Sequence, residues 1–309
     1  VFLLLYFVAA RRWLLHRGAD DSHMGVTILA RSDVFMRPSV KFGLLCAGTI
    51  GLVLAAASAG AADLAANRAR YGVSLSSAKP DSGVVAVEGN MTVETGEACD
   101  GWTTEQRNKF TVHYTEDNPD LVLSATFVSW ESKDGLRFRF SQRELKNGEL
   151  DKEVSGEAQL TGKGQGGSVT FTKPSASTLD LPAGALFPTA HTGLLIERAT
   201  AGEGFLAAKV FDGTNDDNAN DVTAVIGAPL NAEATATATS KVKSPLLQRP
   251  SWRVHLAFFP ADITVDKPDF ELTMRLLDNG ISGDTVLDYG DFAIKAKLDE
   301  IESLPKPAC

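Results

Sequence analysis

Cysteine is scarce in this sequence, with three in 309 residues, and the common motifs of catalysis are missing. No G-x-S-x-G pentapeptide occurs, which removes the nucleophile elbow of a serine hydrolase. H-E-x-x-H and C-x-x-C are absent too, so the familiar zinc spacings are not there. Basic side chains are outnumbered, 30 against 39 acidic, a formal net charge of −9. That balance argues against a protein whose task is to hold nucleic-acid phosphate. With 27 glycines, 13 prolines and 44% hydrophobic residues, neither collagen nor wholesale disorder fits.

What is present begins with an export signal. Met36 to Ala61 reads as a secretory signal peptide: Arg37 and Lys41 are basic, Phe42 to Leu54 is apolar, and Ala55 to Ala61 are small residues. Ala59-Gly60-Ala61 satisfies the A-x-A pattern and places cleavage after Ala61, with Ala57-Ser58-Ala59 as the alternative. The 13-residue apolar run is short beside the roughly 20 residues that a spanning helix needs, so no transmembrane anchor is expected after cleavage. Cys46 lies inside that run and is expected to leave with it. Residues 1–35 are read as an over-called start or an unstructured extension, and 62–309 as one β-rich domain. That domain has 248 residues with 24 basic and 36 acidic side chains, a net charge of −12. It retains two cysteines, Cys99 and Cys309, and an even count in an exported protein favours a disulfide over two free thiols.

From residue 67 onward the dominant hydrophobic period is two, the signature of strands with one buried face. Phe138 and Phe140 alternate with Arg137 and Arg139; Trp252, Val254, Leu256 and Phe258 alternate with Arg253 and His255. Phe270 to Leu276 and Phe292 to Leu298 repeat the pattern. Turn signals such as Lys133-Asp134-Gly135, Lys146-Asn147-Gly148 and Asp278-Asn279-Gly280 separate the runs. The spacing predicts an all-β chain of about 12–14 mostly antiparallel strands. One amphipathic helix is expected over Leu186–Ala201, with Pro188 in its first turn and Gly202 as its stop. Asn231 to Ser244 reads as an exposed loop between strands.

Weaker signals have plain structural readings. Gly162, Gly164 and Gly167 match G-x-G-x-x-G, but Ser168-Val169-Thr170-Phe171 continues as a strand, so a hairpin loop is expected rather than a nucleotide site. Asp212 to Asn218 is rich in oxygen ligands without the EF-hand order, and reads as a solvated hairpin tip. His113 and His255 fall opposite the apolar faces of their strands. His191 lies in the helix between Phe187 and Leu195 and reads as a buried, hydrogen-bonded structural histidine. Trp102 and Trp130 read as core aromatics.

Several blocks together resemble the EipB-type cell-envelope integrity family of Gram-negative bacteria. They are Cys99-Asp100-Gly101-Trp102, Phe127-Val128-Ser129-Trp130-Glu131-Ser132-Lys133-Asp134-Gly135-Leu136, and Leu181-Pro182-Ala183-Gly184 with Leu186 to Thr192. Arg249-Pro250-Ser251-Trp252-Arg253, Glu271 to Gly280, Asp288 to Phe292 and Cys309 extend the likeness from about residue 67 to the end. The resemblance implies a periplasmic protein with a spiral-like or broken-barrel antiparallel sheet, a packed helix, and a disulfide mapping onto Cys99 and Cys309. It implies no catalytic residues, metal or cofactor. Asp100, Trp102, Trp130, His191 and Trp252 are its candidates for structural or interaction roles. One departure stands out: the domain opens with Asn67-Arg68-Ala69-Arg70-Tyr71, where the family pattern would have His-x-Ala-x-Tyr.

Three functions compete on this reading. The first is a non-enzymatic envelope protein acting through protein contacts, with TPR-repeat proteins as a partner class by family analogy. The second is a carrier of lipid or lipoprotein in an apolar β cup. The third, an enzyme, lacks any recognisable nucleophile or metal constellation.

Overall fold

A computed structural model describes residues 63–115, 118–238, 242–260 and 267–309. The expected signal peptide and upstream extension lie outside these residues. Alternation of apolar and polar side chains builds the strands, and each buries one face. The first eight are β1 (Asn67–Ala78), β2 (Val84–Glu97), β3 (Gly101–Tyr114), β4 (Leu121–Ser132), β5 (Arg137–Lys146), β6 (Glu149–Leu160), β7 (Gly167–Lys173) and β8 (Ser177–Leu181). The rest are β9 (Ala185–Leu186), β10 (Phe205–Val210), β11 (Asn220–Leu230), β12 (Ser251–Phe259), β13 (Phe270–Leu277), β14 (Ser282–Asp288) and β15 (Phe292–Ser303). Among the described residues are two α-helices, α1 (Pro188–Thr200) and α2 (Ala232–Ala238).

All fifteen strands form one sheet, in the order β8-β7-β6-β5-β4-β3-β2-β1-β15-β14-β13-β12-β11-β10-β9. The all-β, broken-barrel architecture is therefore present. The strand count slightly exceeds the 12–14 expected, and β9 has only two residues. Among the described residues every pairing joins strands consecutive in the chain except one. That exception is the antiparallel β1–β15 ladder, running from Asn67↔Ser303 to Ala78↔Phe292, where the two halves of the sheet meet. A single parallel contact, β9 with β10, is made through the α1 crossover.

The ends of the sheet are joined by packing rather than by a ladder. After β10 the chain turns inward, and Phe211 meets Phe138, Phe140, Phe171 and Phe187 with ring centroids 5.5–6.4 Å apart. Asn218 reaches β8, its Nδ2 donating to the Asp180 carbonyl at 3.1 Å. Such edge-on aromatic contacts add to simple area burial. The expectation of a solvated tip over Asp212–Asn218 is corrected here: Asp212, Gly213 and Thr214 are buried, and only Asp216 and Asp217 are exposed. Sequence showed the polar side chains but not the Phe cluster that draws their backbone inward.

Helix α1 begins and ends on its sequence signals. Pro188 occupies the first turn, and Gly202, at φ 78°, ends the helix while its N–H donates to the Ala199 carbonyl. Its buried side includes His191, Leu195, Ile196 and Ala199. Helix α2 corrects the loop reading of Asn231–Ser244. The Asn231 side chain accepts from the Ala234 N–H at 2.8 Å, an N-terminal cap for an alanine-rich turn. Thr235, buried inside it, bonds Ser251 at 2.6 Å between hydroxyl oxygens.

Candidate functional site

At one end of the barrel the β2–β3 turn, the β4–β5 turn and the start of α1 converge around a cavity of about 330 Å³. Leu64, Leu136, Leu160, Leu186 and Leu194 give it apolar walls, while Trp102, Glu131, Lys133 and Lys163 supply polar ones. Trp102 and Glu131 are cross-strand partners on the inner face of β3 and β4. Strand phase sets this: Leu121, Leu123, Ala125, Phe127, Ser129 and Glu131 all point inward.

Glu131 is the most constrained group at the site. One carboxylate oxygen accepts the Thr189 N–H at 2.7 Å and the other the Ala190 N–H at 2.8 Å, so a strand residue caps the start of α1. Burial pushes its pKa up to about 7, even though the two N–H donors pull it down. The neighbouring turn is held by its own side chains. Asp134 accepts from the Leu136 N–H at 3.0 Å, the Ser132 hydroxyl accepts from the Arg137 N–H at 2.9 Å, and Gly135 takes φ 73°. A hydrogen bond from Ser132 holds the Asp134 carboxyl below its ordinary value.

Lys133 projects from that turn over the Trp102 ring, 4.1 Å from its centroid, and reaches Glu97 at 2.6 Å. Its backbone N–H donates to the Asp100 carbonyl at 3.0 Å. Gly101 allows the close approach: a Cβ there would lie 2.4 Å from the Glu131 carbonyl and 2.5 Å from the Trp130 indole nitrogen. Beside this turn Cys99 is bonded to Cys309, with Cα atoms 5.6 Å apart. The bridge fastens the β2–β3 turn to the segment after β15, across the end of β1.

The candidate residues therefore divide. Cys99, Cys309, Asp100 and Trp102 gather beside the cavity, Asp100 exposed and Trp102 half-buried. His191 is fully buried on α1, but neither ring nitrogen has a hydrogen-bond partner among the described residues, contrary to the hydrogen-bonded histidine expected. Burial lowers its pKa to about 3 and keeps it neutral. Trp130 corrects the core reading: the phase that turns Glu131 inward turns Trp130 outward, where Arg137 and Arg139 cover it. Trp252 is buried in β12 opposite Leu276, away from the cavity lining. Glu131 and Lys133 were not singled out from sequence, although a carboxylate on the apolar phase of β4 was a readable signal.

An open, barrel-like sheet sealed by a capped helix and an aromatic plug defines the class of protein. The chain belongs to the EipB-like family, whose match covers residues 58–305. It is similar to the cell envelope integrity protein EipB of Brucella abortus (strain 2308), 35% identical over 256 residues, covering 82% of this chain and 89% of that protein. A solved structure from Brucella abortus, described as a beta-barrel-like protein of domain of unknown function DUF1849, superposes with a TM-score of 0.73. It is 33% identical and covers 79% of this chain and all of its own.

Proposed function

We propose that this chain is a periplasmic, non-enzymatic protein that supports cell-envelope integrity through protein contacts. The observation that carries the reading is the 35% identity, across most of both chains, to a relative named for cell envelope integrity. The signal-like segment Met36–Ala61 supports export, with 62–309 as the working domain. The non-enzymatic part is supported by the sequence, in which no recognisable nucleophile or metal constellation occurs. TPR-repeat proteins are the partner class to try first. Deleting the gene should make cells sensitive to detergent, and the cloned chain should restore resistance. Deleted cells as resistant as their parent would refute the reading.

The apolar walls around the cavity favour one alternative, a carrier of a lipid or lipoprotein acyl group. Native mass spectrometry after gentle extraction separates the two, since a carrier retains an added lipid mass.

A further inference from the structure

The outer face of β3, β4 and β5 differs in charge from the rest of this acidic chain. Outward from β3 point Arg107 and Lys109, and outward from β5 point Arg137, Arg139 and Arg143, all exposed. Against these five cations the same face has one carboxylate, Glu105, in contact with Arg107. The outer positions of β4 carry no acidic side chain and no cation: they are Val122, Ser124, Thr126, Val128 and Trp130. Register places Arg107, Thr126 and Arg143 in one row across the three strands, and Thr103, Trp130 and Arg139 in another. The result is a basic stripe with an apolar floor, in a chain of net charge −9.

The floor is built, not incidental. Trp130 lies under both Arg137 and Arg139, at 5.4 and 5.0 Å from ring centroid to guanidinium carbon. Cation–π contact holds the two guanidiniums over the ring. Val128, 47% exposed, continues the apolar surface between the rows. Arg143 and Lys109 have no ion-pair partner among the described residues, and Arg139 has only the exposed contact to Glu157 at 3.5 Å. An exposed pair of that kind costs little to exchange for another carboxylate.

Acidic residues border the stripe on both sides. Glu88 and Glu94 stand on β2, and Glu153 and Glu157 on β6, all facing outward. From β3 to β5 is about 10 Å, and from β2 to β6 about 19 Å, at the usual spacing between strands. Glu94 pairs with Arg68, Glu153 with Lys173 and Glu157 with Arg139, so the rails mark the edges of the free positive charge, a strip too narrow for a broad surface such as a bilayer. A single extended chain is narrow enough to lie between them.

We infer that the outer face of β3–β5 is a docking stripe for an extended acidic segment of a partner protein, with at least one apolar side chain among its carboxylates. Carboxylates on alternate residues of such a segment fall about 7 Å apart, the spacing of Arg137 and Arg139 along β5. Arg143 lies about 13 Å beyond Arg139, two such steps away. The guanidiniums read the carboxylates through paired N–H donors, and Val128, beside the arginine-covered Trp130, receives the apolar side chain. The two acidic rails confine the segment to the stripe.

This inference rests on the reading that the chain works through protein contacts, and its test keeps the two apart. The probe is a fluorescein-labelled peptide of alternating glutamate and serine with one central leucine, followed by anisotropy with the exported full-length domain. Binding should weaken roughly tenfold in R139Q/R143Q and fall steeply as salt rises from about 50 to 500 mM. The control R70Q/K295Q, which removes two exposed cations elsewhere, should bind within about twofold of the parent if the stripe is the site. Equal binding by both variants, no binding by the parent, or tighter Arg139-dependent binding to phosphatidylglycerol vesicles would each overturn the stripe. Capture of one envelope protein by the parent and equally by R139Q/R143Q would overturn the stripe while leaving the protein-contact reading in place.

Discussion

Glu131 and Thr189 are 58 residues apart in the chain and 2.7 Å apart in the fold, a β4 carboxylate accepting the N–H that opens α1. The same carboxylate takes the next N–H from Ala190. One side chain thus fixes the helix to the sheet beside the cavity.

Replacing that carboxylate should loosen the helix. Glu131→Ala leaves two buried N–H groups unpaired and should cost about 2–3 kcal/mol. Glu131→Gln keeps one acceptor oxygen and should cost about half as much. Urea unfolding of the three proteins gives the order, and hydrogen exchange should show the loss concentrated in Thr189 to Leu195.

The pH dependence follows from Glu131 and His191 together. Glu131 has a folded pKa of about 7 against an ordinary 4.5, so its contribution is full below 4.5 and is lost as pH rises to 7. His191 has a folded pKa of about 3 against an ordinary 6.5, so its contribution is full above 6.5 and is lost as pH falls to 3. Between 4.5 and 6.5 the two slopes oppose and cancel. In His191→Phe the stability should fall with rising pH across that window, by roughly 1.4 kcal/mol per unit. In Glu131→Gln it should rise instead. Urea midpoints at a series of pH values check the signs.

The Cys99–Cys309 bridge closes a separation of 210 residues. On the chain-entropy account, Cys99→Ser with Cys309→Ser should lower stability by about 5 kcal/mol, an upper figure for such a loop. The unreduced, alkylated parent should show no added alkyl mass, and the reduced parent two additions. A single mass measurement tests the bridge and the proposed cleavage after Ala61 together.

Two glycines with positive φ provide a matched pair. At Gly148 a Cβ meets nothing within 4 Å, so Gly148→Ala should cost only the backbone term, about 1 kcal/mol. At Gly213 a Cβ would lie 2.4 Å from the Phe140 ring, so Gly213→Ala should cost about 3 kcal/mol and displace the aromatic plug. Near-ultraviolet circular dichroism should change for Gly213→Ala alone.

These residues also show what sequence could disclose. Alternation is a local property, so the strands and the turns at Gly135, Gly148 and Gly280 were readable, as was α1 from Pro188 to Gly202. By residue type Trp130 reads as a core aromatic, but its phase beside Glu131 is the better guide. The cap itself was hidden because its two halves, Glu131 and Thr189, lie in different elements. Asp212 reads as solvated for the same reason, since only the assembled Phe138–Phe140–Phe171 surface around Phe211 explains why a polar stretch turns inward. At α2, the alternation of Ala and Thr lacks a helical apolar period and reads as an exposed loop, which masks the cap from Asn231.

The β1–β15 ladder has a consequence for the order of assembly. The other strand pairs are chain neighbours, whereas Asn67 must find Ser303 across almost the whole domain. Loop closure over that distance makes this pairing slow, so the two meanders can form before they meet. Until they meet, β1 and β15 are open edges of matching length, each able to accept its counterpart from another copy. Strand exchange between copies is therefore a hazard of late assembly, and the bridge across β1 works against it by making the correct encounter permanent.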